Sequence, residues 1–179
     1  LNYEEMSKNE NYKYIIISCE KNNSNKITNI SYSALKMFGF KKEEIIGNSC
    51  KILFPEIFNN YLKNFFKKKI EQFKHDLIYQ NKKINTDIWV EDFFGINKIK
   101  FLVPFKARWT IISTEDEKIY LIANLFTENK LLINSEEIQT VYILTDNELK
   151  IQNFSANAPE ILNLNATFEY NETNILDYI

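Results

Sequence analysis

The chain is poor in the residues that usually carry chemistry. Its 179 residues include one histidine, two cysteines, three glycines and three prolines. With a single histidine, no His/Cys/Asp/Glu cluster has metal-ligand spacing, and no metal site is expected. Cys19 and Cys50 make neither a disulfide framework nor a zinc cluster. Read as reduced thiols, they place the chain inside a cell, on the cytoplasmic side. There is no Gly-rich phosphate loop and no nucleophile elbow, so no catalytic residue is nominated and no enzyme is expected. A formal charge of −2 argues against a nucleic-acid partner. Long uncharged apolar runs and a signal-peptide pattern are absent too, which reads as a soluble segment.

An apolar share of 45 % with 15 % aromatics is ample for a packed core. Asn, Lys and Ile are abundant, as in an AT-rich coding sequence, so each retained glycine is expected to have a backbone reason. The most informative pattern is internal. Lys26–Phe40 returns as Lys150–Leu164 at a constant offset of 124 positions (150 − 26), with Lys, Ile, Asn, Ser and Ala identical. Solenoid units recur at about 20–50 residues, so this is the spacing of two small domains. The chain begins at Leu1 and stops inside the second copy, the mark of a segment from a longer protein.

The pattern predicts a lead-in over 1–13, a domain over 14–126, a linker over 127–139 and the first part of a second domain over 140–179. Tyr14–Cys19 and Lys26–Ile30 read as a β-hairpin. Ser31 stands at an N-cap of a short helix, Tyr32–Phe38, which Gly39 ends in a left-handed conformation. Ser155 and Asn163 hold those two places in the second copy. A short helix over Lys41–Ile46 stops at Gly47. Pro55 then opens a long amphipathic helix, with Ile57, Tyr61, Phe65, Phe66 and Ile70 at helical spacing. Three strands follow: Thr86–Asp92, then a turn over Phe93–Lys98 around the third glycine, then Ile99–Ile112 and Lys118–Phe126. The fold class is α+β: a five-stranded antiparallel sheet with short helices across one face, followed by the start of a second module.

Lys26–Gly47, with its strand, Asn/Ser cap, Ala, Phe-Gly-Phe and Lys-Lys-Glu-Glu-Ile-Ile-Gly, resembles the signature of PAS (S-box) domains. The resemblance extends to about Phe126 and resumes from Val141. It implies a sensory or interaction module, used for protein association or signal relay and carried in tandem in front of an effector. It implies partners that are other proteins or other domains of the same chain, in homo- or hetero-oligomers. Such tandem copies are also similar to PAS regions of very large protist proteins, some anchored to membranes outside such segments.

Family members that hold heme, flavin or a metabolite supply the rival readings. Gly47–Phe54 resembles the flavin-adduct motif, with Cys50 at the reactive position, but Ser49, Lys51 and Phe54 replace its Asn, Arg and Gln. Asn124 is the lone amide candidate on the closing strands. His75 is the one histidine available as a heme ligand; it lies in a charged stretch, and nothing singles out Tyr61 or Tyr79 for that role. A small-ligand sensor would enclose its ligand with Phe38, Phe40, Ile52, Phe101, Val103 and Ile122. The expectation adopted is a chain without cofactor, whose docking surface would draw on Trp89, Phe94 and Trp109 if exposed. A third reading is a structural subunit of a large assembly. Lys63, Lys67, Lys68, Lys69 and Lys74 read as the wet face of the long helix.

Overall fold

The computed structural model describes residues 12–20, 25–80, 88–126, 140–164 and 172–178. The expected lead-in, except Tyr12 and Lys13, and the expected linker lie outside them.

Isoleucine-rich β1 (Lys13–Ser18) and β2 (Lys26–Ile30) form the opening hairpin. The chain then turns into α1 (Tyr32–Phe38). Ser31 caps this helix by accepting a hydrogen bond from the Ala34 amide, and Gly39 ends it at φ 72°. A short α2 (Lys42–Ile45) follows, then 3-10 turns at Cys50–Leu53 and Glu56–Phe58. The long helix α3 spans Asn59–Gln80. β3 (Ile88–Ile96), β4 (Leu102–Ser113) and β5 (Ile119–Phe126) complete an antiparallel sheet in the order β2-β1-β5-β4-β3. Side chains alternate across a strand. Ile15 and Ile17 of β1, Phe105, Ala107, Trp109 and Ile111 of β4, and Leu121, Ala123 and Leu125 of β5 therefore share one face with the buried sides of the helices.

Two expectations for the first module need correction. The third glycine does not make a turn. Gly95 lies inside β3, paired with Val103, and a Cβ there would sit 2.7 Å from the Phe38 ring and 2.9 Å from both the Leu53 carbonyl and the Phe105 ring. Close approach requires this glycine, not chain reversal. The reversal is made by Asn97, whose Oδ1 accepts from the Ile99 and Phe101 amides. The start of the long helix's apolar face is also shifted. Ile57 and Tyr61 are 49 % and 56 % exposed, whereas Leu62, Phe66 and Phe73 are buried. The 3-10 turn after Pro55 breaks the helical phase before Asn59, so Ile57 and Tyr61 point outward, while Phe65, Phe66 and Ile70 of the same spacing reach the core.

Beyond β5, β6 (Ile143–Thr145) and β7 (Ile151–Phe154) form a two-stranded antiparallel sheet, followed by α4 (Ala158–Ile161) and a 3-10 turn at Ile175–Tyr178. Ser155 does not repeat the cap of Ser31: α4 starts later in its copy, with Asn157 at its N-cap, and the Ser155 hydroxyl donates to the Asn157 side-chain oxygen. This unit meets the β3–β4 end of the first. Asn153 donates its side-chain amide to the Lys100 carbonyl, and the Phe101 and Phe154 rings lie 5.8 Å apart.

Candidate functional site

The space between sheet and helices is where a ligand would sit, and aromatic rings fill it. Phe38 meets Phe105 edge-on at 5.8 Å, and Phe54 meets Phe93 at 5.8 Å. Phe66 packs on Trp109 at 5.1 Å, while Trp89 stacks on Trp109 at 6.2 Å with planes 14° apart. Register explains the grouping: β3 and β4 oppose Trp89 to Trp109 and Phe93 to Phe105. Four aromatics thus meet as two cross-strand pairs beneath α3. The free space left among Phe38, Cys50, Phe54, Phe105 and Trp109 is about 10 Å³. Ligand pockets run to about 300–1,000 Å³, so this interior does not accommodate a flavin or a heme.

Cys50 is 1 % exposed and opens the first 3-10 turn, its amide bound to the Asn25 carbonyl. Burial pushes its thiol up to about 12, with Cys19 adding to the rise. Burial likewise pushes Cys19 up to about 12. A thiol held protonated is a poor nucleophile. Asn124 cannot share a ligand with it. Asn124 alternates with the inward Ala123 and Leu125 and so faces the opposite side of the sheet. Its side-chain oxygen is buried without a hydrogen-bond partner among the described residues. His75 projects from α3 with a 67 % exposed side chain, its Nδ1 3.6 Å from Asp76. Tyr61 is exposed and stacks on Phe65; the Tyr79 side chain lies outside the described residues.

Of the six residues expected to enclose a ligand, Phe38, Phe40, Ile52 and Val103 meet at one core cluster, and Phe101 and Ile122 lie elsewhere. Phe38 is buried in the core and Val103 packs against its edge. Phe40 lines an open groove of about 780 Å³ with Tyr32, Lys36, Lys41 and Lys42. Ile52 borders a second open cleft of about 440 Å³ beside Lys51, Asn59, Lys100 and Asn153. Phe101 belongs to the second apolar cluster, with Phe154. Ile122 is buried on the outer face of the sheet, opposite Leu121 and Ala123. The three aromatics expected at a docking surface are occupied as well. Trp109 is a core residue, Trp89 packs under Lys69 at 4.8 Å, and Phe94 lies against Tyr142 at 5.3 Å. The aromatic box escaped the sequence reading, although the i, i+4 spacing of Trp89/Phe93 and Phe105/Trp109 signals it once both segments are strands.

Lys63, Lys67, Lys68 and Lys74 are exposed along α3, and Lys67 pairs with Glu71 at 3.8 Å. Among the described residues no His/Cys/Asp/Glu group could hold a metal, and no helix is long and apolar enough to cross a membrane.

No curated protein matches the chain. Among solved structures it is similar to the PAS domain of an HTR-like protein from Haloarcula marismortui, with 10 % identity and a TM-score of 0.47, over 69 % of this chain and 87 % of that one. The light-state dimer of the fungal blue-light photoreceptor Vivid gives 13 % and 0.47, over 65 % and 77 %. The Rhodobacter sphaeroides LOV protein gives 10 % and 0.46, over 71 % and 65 %. The family model described as PAS domain matches residues 13–101, from the first residue of β1 to the turn before β4. On that match the chain belongs to the PAS domain family.

Proposed function

We propose that this segment is a non-catalytic PAS module serving protein–protein association or signal relay within a larger intracellular protein, as in tandem PAS regions of large protist proteins. The aromatic packing behind Cys50 carries this reading: a sensor that encloses its ligand needs room between sheet and helices, and about 10 Å³ is less than a ligand pocket by an order of magnitude. Catalysis lacks a working pair. The Cys50 thiol is buried and protonated, and His75 stands on the wet side of α3.

Two open grooves and a second folded unit leave the module's outside as its means of communication. Contact through Phe94, Phe101, Asn153 and Ser155 couples the two units. Native mass spectrometry of the purified chain, together with its visible and near-ultraviolet absorbance, tests the reading. The expected mass is that of the polypeptide, with no absorbance beyond the aromatic band. A stoichiometric small molecule, or a light-dependent spectral change abolished by Cys50→Ala, would overturn it.

A further inference from the structure

The opening hairpin of the second unit holds on to the turn between β3 and β4 of the first. Asn153 donates to the Lys100 carbonyl, and Ser155 bridges to Leu102 as a parallel neighbour. The Phe154 ring lies 5.8 Å from Phe101, and Tyr142 lies 5.3 Å from Phe94. Four residues thus make this grip: Tyr142, Asn153, Phe154 and Ser155.

Each has an equivalent in the first unit. At the offset of 124, Asn29, Ile30 and Ser31 stand for Asn153, Phe154 and Ser155. Tyr14 stands for Tyr142. Ser31 accepts from the Tyr14 amide and returns its own amide to the Tyr14 carbonyl, as Ser155 does with Tyr142. All four equivalents line the open groove of about 780 Å³. Phe40 borders that groove at the position of Leu164, which packs with Phe101 on the second apolar cluster. Donors stand free there as well. Asn29 Oδ1 accepts from the Ile30 amide, but its NH2 group meets no acceptor among the described residues. The Tyr32 amide, first in α1, has no acceptor within its helix.

Charge is reversed between the two places. The turn that the second unit holds carries Lys98 and Lys100, and that unit presents an exposed Glu160. Lys36 occupies the position of Glu160 in the first unit, with Lys41 and Lys42 beside it on the groove, all three exposed.

We infer that this groove docks the strand-connecting turn of another module, gripped as the second unit grips residues 97–102. The turn carries an aromatic residue in the place of Phe101 and acidic residues in the places of Lys98 and Lys100. A second copy of this chain does not supply it, because the copy's own turn is covered by its second unit and carries the opposing charge. Backbone contacts and the ring supply affinity, and the lysines supply selectivity. The inference names the partner for the association proposed above and rests on that reading.

A hairpin peptide copying residues 94–104, closed by a terminal disulfide and carrying Lys98→Glu and Lys100→Glu, tests it. Fluorescence anisotropy with the full chain is expected to show saturable binding, about tenfold weaker for the peptide that keeps both lysines. Replacing the exposed Lys36, Lys41 and Lys42 with Glu is expected to reverse that preference. Phe101→Ala in the acidic peptide is expected to weaken binding about tenfold. No saturable binding, no preference between the two peptides, or a preference unchanged in the triple variant would overturn the inference. Binding seen only after removal of residues 1–11 would overturn the external occupant in favour of that segment. A dimer in sedimentation that the triple variant dissolves would overturn it in favour of a second copy. Each of these failures leaves the mass and absorbance that test the proposed function unchanged, so the two readings fail separately.

Discussion

Gly95 shows how a single missing side chain positions a core. A Cβ at this position would lie 2.7 Å from the Phe38 ring and 2.9 Å from the Leu53 carbonyl and the Phe105 ring, closer than Cβ contacts come. Gly95→Ala must therefore displace a backbone carbonyl or two rings. It is expected to cost about 1–3 kcal/mol as overpacking, read from the urea midpoint. The cysteines make a second residue-scale statement, in pH. Both thiols titrate near 9.0 when free and at about 12 when buried. Above pH 9 the unfolded chain releases protons that the folded one retains, so stability falls as pH rises from 9 towards 12. Replacing both Cys19 and Cys50 with Ala is expected to flatten that slope, measured by urea unfolding across the window. Neither result followed from composition, because closeness and burial belong to neighbours remote in sequence.

Among the elements, the Tyr14–Ser31 junction shows what one hydroxyl holds. Ser31 Oγ accepts from the Ala34 amide at the start of α1 and from the Tyr14 amide in β1. Ser31→Ala leaves two buried donors without this acceptor and is expected to lose about 1–2 kcal/mol, read from the urea midpoint. Gly should recover little, since it restores no acceptor. The cap, the left-handed helix end and the hairpin were all legible in the sequence, because each is decided by residues within a few positions of one another. The phase of α3 was legible only in part: Phe65, Phe66 and Ile70 reach the core as spaced, whereas Ile57 and Tyr61 do not. Its buried stripe of Leu62, Phe66 and Phe73 depends on where the 3-10 turn after Pro55 hands over to the helix.

At the scale of the whole molecule, one sheet end joins the two units. Phe101 leaves the β3–β4 turn to pack on Phe154, and Leu102 bridges to Ser155. Phe101→Ala removes a ring from the second cluster while leaving the first module's core rings in place. Faster amide exchange is therefore expected at Ile151–Phe154, by about tenfold for each 1.4 kcal/mol lost, with β1 and β5 unchanged. An equal effect on both units would show that they unfold together.

What this chain's sequence settled alone was local or periodic: the strand and helix order, the capping serine, the glycine that ends α1, and the repeat at 124 positions. These rest on short-range sterics and hydrogen bonds, which a few adjacent residues decide. Tertiary structure alone decided whether the interior is vacant. Cross-strand register sets Trp89 against Trp109 and Phe93 against Phe105, and α3 lays Phe66 over them. Phe38 became filling and Ile122 faced the other side of the sheet, since a side chain's direction depends on pairing partners far along the chain.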